Sequence, residues 1–270
     1  MACTERWLAW DGERGFAPAA DPAGDLLVAD SWLVADGRVR AVERHGARFA
    51  ASCVRAGLRQ PAVRRFWDAA VAELPREGQW FPRVELHPDG TLALNLRRAP
   101  DLAPAVRVLP WPYADPRTAP LVKGPDIGRL AQVRARARAA GADEALFTTE
   151  DGRVTESTTA SLLWWEGPDL CLPDAEDRVL PGVTSALLSG LARDRGVVVR
   201  RARAAFEDLY DRETWLVNAL HGIRPVTEWI SSGRRAAPAE RAPRWQRLLR
   251  AQARHLDDSP IASEHAHRVP

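Results

Sequence analysis

One side chain in this sequence has no second copy. The 38 lysine and arginine residues comprise a single lysine, Lys123, and 37 arginines. A chain so biased has exchanged nearly every lysine needed only as a surface cation, so the survivor is asked what an ammonium does that a guanidinium does not. A lysine amine can lose its proton when buried and attack a carbonyl, whereas arginine stays charged and forms no Schiff base. On the count alone, chance survival is an equal reading. Two downstream features shift that balance. Glu156, in VTESTTAS, is an acid at a strand-like position flanked by hydroxyls, and LPGVT at 180–184 stands immediately before a helix. A helix start offers unpaired N–H groups and a favourable dipole to a phosphate. Singly, Glu156 reads as a solvated turn residue and Thr184 as a helix N-cap. Together the three describe an aldehyde cofactor with a phosphate and a ring nitrogen: lysine for the imine, carboxylate for the nitrogen, helix terminus for the phosphate.

The elements that must position these groups follow from pattern. Apolar runs on either side of Asp36-Gly37, within 26–42, predict a hairpin. Residues 44–58 and 61–74 read as helices, the second opened by Pro61. A second hairpin is expected from 80–86 and 91–96 about His87-Pro88-Asp89-Gly90, with a strand at 106–109. Pro110, Pro112, Pro116 and Pro120 then fall too densely for helix or inner strand, which predicts an interdomain linker. Beyond it come a helix over 126–140 stopped by Gly141, strands at 145–149 and 161–165, and a short strand at 170–172. A helix at 185–195, strands at 197–202, 214–220 and 223–229, and a helix at 244–255 complete the pattern. The first 24 residues are rich in Ala, Pro and Gly and predict nothing definite. Strands mixed with helices in both halves give an α/β (α+β) class. The expected division is a small domain at 1–113, a Pro-rich linker at 114–120, a cofactor-binding domain at 121–232 and an Arg/Ala/Pro-rich segment with one helix at 233–270.

Composition narrows the function classes. A net charge of +2 spread over many charges of both signs argues against a nucleic-acid face. Cysteines at 3, 53 and 171 have no paired spacing, which points to a reducing, cytoplasmic setting with neither disulfide framework nor thiolate metal site. The N-terminus lacks the build of a signal peptide, and the longest uncharged run, 179–192, is interrupted by Pro181 and Gly182 and is too short to span a bilayer. His265 and His267 read as a solvated tail rather than metal ligands. Trp164-Trp165 on a strand would place one ring on each face.

Several segments in order resemble the class IV aminotransferases, the pyridoxal-phosphate enzymes of fold type IV. AGADEALFTTEDGRVTESTTAS is similar to that family's "AGADEAL…DG.VTEGS.SN" signature, LPGVT to "LPGITR", VNALHGIRPV to "TNAL.GI.PV", and ERHGARF to "EEHL.RL". The family includes branched-chain and D-amino-acid aminotransferases and 4-amino-4-deoxychorismate lyase. The resemblance implies a small N-terminal α/β domain, a larger C-terminal α/β pseudo-barrel, a homodimer, and an amino acid and a 2-oxo acid as substrates. It implies that Lys123 is the Schiff-base lysine and Glu156 the partner of the pyridine nitrogen. Val183 and Thr184 would hold the phosphate through N–H groups, with a contact from Arg48. Asn218 and Ala219 would lie in a loop approaching the cofactor.

The departures concern the substrate side. Ser161 stands where the family usually has asparagine, GPDIGR after the lysine offers only Asp126 for the phenolic oxygen, and LLVADSW replaces "GDGVFET". Ser31 falls where the lyase branch carries a catalytic threonine, against the plain reading of an outward strand serine. Arg83, Arg97 and Arg98 lie on the second hairpin, and Arg83 is taken as the substrate-carboxylate contact. The expectation is an aminotransferase acting through Lys123, with a pyruvate-releasing lyase as alternative. A non-catalytic relative, or an arginine-rich binding protein using the tail from Arg234 to Arg254, is the reading from another class.

Overall fold

The computed structural model describes residues 5–22, 24–230 and 232–258; Cys3, His265 and His267 lie outside them. The chain divides into two units, the first comprising the described residues of Met1–Asp101, Val122–Pro125 and Gln252–Pro270, the second Leu102–Leu121 and Asp126–Ala251.

The first unit contains β1 (Glu5–Asp11), β2 (Gly15–Ala19), β3 (Val28–Ser31), β4 (Val34–Ala35), β5 (Arg38–Arg40), α1 (Val42–Arg55), α2 (Gln60–Ala72), β6 (Gln79–Trp80), β7 (Arg83–Leu86) and β8 (Leu92–Arg97). Five strands form an antiparallel sheet in the order β2-β1-β8-β7-β3. Side chains alternate across it. Val28, Val84, Leu86, Leu94 and Leu96 are buried on one face. The other face carries a polar row, because Ser31 pairs with Arg83, Arg83 with Asn95, and Asn95 with Trp7. Helix α1 packs on β3 and α2, and Phe49 stacks near Phe66 and Trp67. Gly46 permits the helix contact, since a Cβ there would lie 2.7 Å from the Trp67 ring. The expected hairpin exists: β4 and β5 turn through Asp36 and Gly37, whose φ values of 48° and 69° are those of a type I′ turn. The supposedly featureless start is a hairpin too, β1 paired with β2.

The second unit contains β9 (Val106–Pro110), α3 (Ile127–Ala139), β10 (Glu144–Thr148), β11 (Val154–Ser157), β12 (Ser161–Glu166), β13 (Asp169–Pro173), α4 (Val183–Arg193), β14 (Val199–Ala202), α5 (Phe206–Leu209), β15 (Thr214–Asn218), β16 (Gly222–Trp229), β17 (Arg234–Arg235) and α6 (Ala242–Arg250). β11 pairs with both β10 and β12, so the path β11-β10-β9-β16-β15-β12 closes on itself as a barrel-like ring. β13 and β14 extend it from β12. Leu162 and Trp164 enter one core with Leu146, Leu216 and Trp229, while Leu163 and Trp165 enter another with Leu188, Trp215, Trp245 and Leu249. Both tryptophans of the pair are thus core, one on each face. Helix α6 stops at Arg250 rather than near 255, and Ala253–His255 is a strand on β5 of the first unit. Among the described residues no helix is long and apolar enough to cross a membrane.

Candidate active site

In the first unit, Val122–Pro125 runs beside β3, and the Ala29 N–H donates to the Lys123 carbonyl at 2.6 Å. Gly124 allows this approach: its φ is +145°, and a Cβ would fall 2.8 Å from Val28 Cα. Lys123 is half-buried, and among the described residues no hydrogen bond or ion pair reaches its amine. Desolvation pushes that amine down to about 8, opposed by the Asp30 charge and assisted by the Arg48, Arg97 and Arg83 guanidiniums. An amine so poised spends part of its time unprotonated at neutral pH, the form that attacks a carbonyl.

Asp30 is fully buried. Its Oδ1 accepts from Arg48 Nη2, His45 Nδ1 and the Ser31 N–H, each at 2.8 Å, and its Oδ2 accepts from Arg48 Nε at 2.9 Å. Burial favours protonation of Asp30, but the Arg48 and His45 charges and hydrogen bonds outweigh it and hold the carboxyl well below the usual range. Burial also lowers His45, against the pull of Asp30. On the polar sheet face, the Arg83 Nε pairs with buried Glu85, which also meets His87 Nε2 at 3.1 Å. Arg97 donates through Nε to the Phe81 carbonyl at 2.8 Å, lies 5.1 Å over the Phe81 ring, and has no carboxylate bonded to it among the described residues. Burial, assisted by Arg83, lowers Arg97 to about 10. Ser31 is buried in the same row as Arg83.

In the second unit, Glu156 sits on β11 opposite Ser161 and is buried. Its Oε2 accepts from Arg117 Nη1 at 2.6 Å and the Leu180 N–H at 3.1 Å, and its Oε1 from Ser161 Oγ at 3.3 Å. Burial raises this carboxyl, while Arg117, the Leu180 N–H and Ser161 pull it down. A carboxylate has about four acceptor positions, so a further donor can be met. Arg117 is itself buried and grips Asp115, 2.7 Å from Nη2, and the Arg178 carbonyl, also 2.7 Å. Helix α4 starts after Gly182 with no side-chain cap, so Val183 and Thr184 occupy its first turn, where N–H groups lack helical partners. Gly182 is required here: a Cβ would fall 2.4 Å from Ser161 Oγ. Asn218 ends β15, accepts the His221 N–H at 2.8 Å and donates to the Thr159 carbonyl at 3.3 Å, with Ala219 in the intervening turn. Thr158 and Thr159 hydroxyls donate to Glu144, which pairs with Arg224 at 3.0 Å and so holds this loop from beneath. Asp126 is spent on its own turn, accepting the Thr118 and Ala119 N–H groups at 3.0 and 2.9 Å.

Lys123, Arg48, Ser31 and Arg83 therefore belong to the first unit, and Glu156, Val183, Thr184, Asn218 and Ala219 to the second. Two groups escaped the sequence reading. Asp30 stands directly before Ser31 and organises Arg48, and Arg117, inside the Pro-rich segment, is the strongest partner of Glu156. A buried arginine among prolines has no local signal, because its partner lies 39 residues away.

The sequence model of the amino-transferase class IV family matches residues 27–229, and the chain belongs to that family. An aminodeoxychorismate lyase from Bacillus subtilis is 31% identical over 86 residues, which is 32% of this chain and only 29% of the relative's length. A hypothetical aminotransferase from Mycobacterium tuberculosis in its PLP-bound form superposes with a TM-score of 0.74 at 21% identity, covering 92% of this chain and 98% of that one. A branched-chain aminotransferase from Thermoproteus uzoniensis with norvaline gives a TM-score of 0.76 at 18% identity, covering 96% and 98%. The mixed α/β architecture with its barrel-like sheet is thus that of the fold type IV aminotransferases.

Proposed function

We propose that this chain is a pyridoxal-phosphate-dependent aminotransferase moving an amino group between an amino acid and a 2-oxo acid. The observation that carries the reading is the single lysine amine: without a partner among the described residues, half-buried, and lowered to about 8 among three arginines. The residues present fit the cofactor. The uncapped start of α4 and the glycine before it suit a phosphate, and Glu156 keeps acceptor capacity for a protonated ring nitrogen. When bound, pyridoxal phosphate supplies an electron sink for charge developing at the substrate α-carbon.

The chain's own residues then take these roles. Lys123 would hold the aldehyde carbon, and its amine would accept and return a proton at the substrate α-carbon, for which an affinity near neutrality is suited. Glu156 holds the proton on the ring nitrogen, with Arg117 fixing its carboxylate. Val183 and Thr184 bind phosphate through N–H groups, Arg48 adds a contact, and Asn218 and Ala219 line the approach. For the substrate carboxylate, Arg97 offers a stacked guanidinium whose hydrogen-bond partner among the described residues is a carbonyl, whereas the first choice, Arg83, is already engaged by Glu85. The protein is proposed to be a cytoplasmic homodimer.

The second reading, a pyruvate-releasing lyase, is favoured by one observation: the buried Ser31 hydroxyl on the polar sheet face, beside Arg83. Turnover that needs a 2-oxo acid marks the aminotransferase, and pyruvate released with no acceptor marks the lyase. The primary experiment is to load the protein with pyridoxal phosphate, reduce with borohydride and map the modified peptide. Label at residue 123, lost together with turnover in Lys123→Arg, is expected; label elsewhere, or turnover surviving that change, sinks the proposal.

A further inference from the structure

The charged groups acting on Lys123 come from four elements of the first unit: Asp30 from β3, Arg48 from α1, Arg97 from β8 and Arg83 from β7, and His45 of α1 in turn senses the charge of Lys123. Three are guanidiniums, and the imidazole of His45 is itself lowered by burial. Asp30 is the one carboxylate among them. Its position is fixed on every side: Ser31 N–H, His45 Nδ1 and Arg48 Nη2 converge on Oδ1, and Arg48 Nε takes Oδ2. Lys123 is pinned to the neighbouring residue of the same strand through the Ala29 N–H, and Gly124 against Val28 leaves that pin no slack.

We propose that Asp30 is a positioning residue of the Lys123 site, whose buried carboxylate both fixes the Arg48 fork and serves as counter-charge to the Lys123 ammonium. Without it, a cationic amine would stand among three guanidiniums, of which Arg83 keeps its ion pair to Glu85, and like charges at short range disfavour the charged form. Asp30 thereby holds up, against desolvation, the pH at which the amine becomes nucleophilic. The same carboxylate holds Nε and Nη2 of Arg48, so its loss would disturb the phosphate contact as well.

The inference rests on the proposed role of Lys123, but its test needs no cofactor, because the sequence has one lysine and a side-chain amine reagent therefore reports on one position. The full-length chain, dialysed free of pyridoxal phosphate, is trace-acetylated with acetic anhydride across pH 5–11. The arginine-cleaved peptide holding residue 123, separate from the N-terminal one, is then quantified by mass spectrometry. Wild type should give a midpoint of about 8. In Asp30→Asn the midpoint should fall by about one unit, raising labelling at pH 7 about fivefold. An unchanged or higher midpoint in a folded Asp30→Asn protein overturns the proposal, since a merely structural carboxylate would leave it in place. Should Asp30→Asn alone fail to fold, Arg48→Met and Arg48→Met/Asp30→Asn isolate the same charge. The double variant must then titrate about one unit below the single one, and equal midpoints overturn the proposal. Loss of cofactor binding with these shifts intact would count against the aminotransferase reading only.

Discussion

Arg117→Met is the sharpest test of how the second unit holds Glu156. The Arg117 side chain is 4% exposed, and its guanidinium joins two carboxylates and a carbonyl: Asp115, Glu156 and Arg178. Methionine fills most of the volume but leaves Glu156 buried with only the Leu180 N–H and Ser161 Oγ. Breaking a buried pair on one side costs about 3–5 kcal/mol, and for a chain of this size that corresponds to a melting-temperature drop of roughly 6–20 °C. The loss should also depend on pH. Burial already raises Glu156, and removing Arg117 takes away its main opposing charge. The native variant then keeps a proton that the unfolded chain releases, so its stability falls as pH rises from the ordinary carboxylate range through the raised value. The slope is at most about 1.4 kcal/mol per pH unit. Urea unfolding of wild type and variant, followed by tryptophan fluorescence at low and high pH, measures both quantities. A deficit below about 1 kcal/mol would refute the reasoning, as would one no larger under alkaline than under acidic conditions.

Lys123→Met should be more stable than wild type at neutral pH, because it removes a desolvated ammonium. The gap should close between pH about 8 and 10.5, where the native lysine has lost its proton and the unfolded one has not; a gap constant across that window would contradict the environment described. Gly182→Ala should weaken cofactor retention by about tenfold or more, since its Cβ would collide with Ser161 Oγ and push the start of α4 out of place, and Ser161→Ala in the same chain, by removing that oxygen, should restore much of it; equilibrium dialysis with pyridoxal phosphate decides. Gly46→Ala should cost about 1–3 kcal/mol by forcing α1 off the Trp67 ring, read as a shift in the chemical unfolding midpoint.

What the sequence disclosed was whatever is written locally. Asp36-Gly37 demanded a turn with two positive φ values and received one, and the helices read at 44–58, 61–74 and 185–195 are found as α1, α2 and α4 within about three residues of their expected ends. The count of one lysine singled out Lys123, and the family-like motifs singled out Glu156 and the start of α4 as candidates. Groups that act through partners distant in sequence left no trace. The β1–β2 hairpin hides in an Ala- and Pro-rich stretch whose strand character comes from pairing with β8. The end expected of α6 was overridden because residues 253–255 find β5. Arg117 is visible as an arginine among prolines, but its purpose depends on Glu156 and Asp115 folding around it.

The strand Ala253–His255 has a bearing on how the protein is made. It pairs with β5, the Leu256 N–H donates to the Gly37 carbonyl at 2.9 Å, and Asp257 accepts from Arg76. The smaller sheet of the first unit therefore cannot be finished until residues 215 positions downstream of β5 have been translated. At about 5–20 residues per second, β5 waits on the order of ten seconds or more with one edge open, an interval in which a chaperone or a neighbouring nascent chain could find it first.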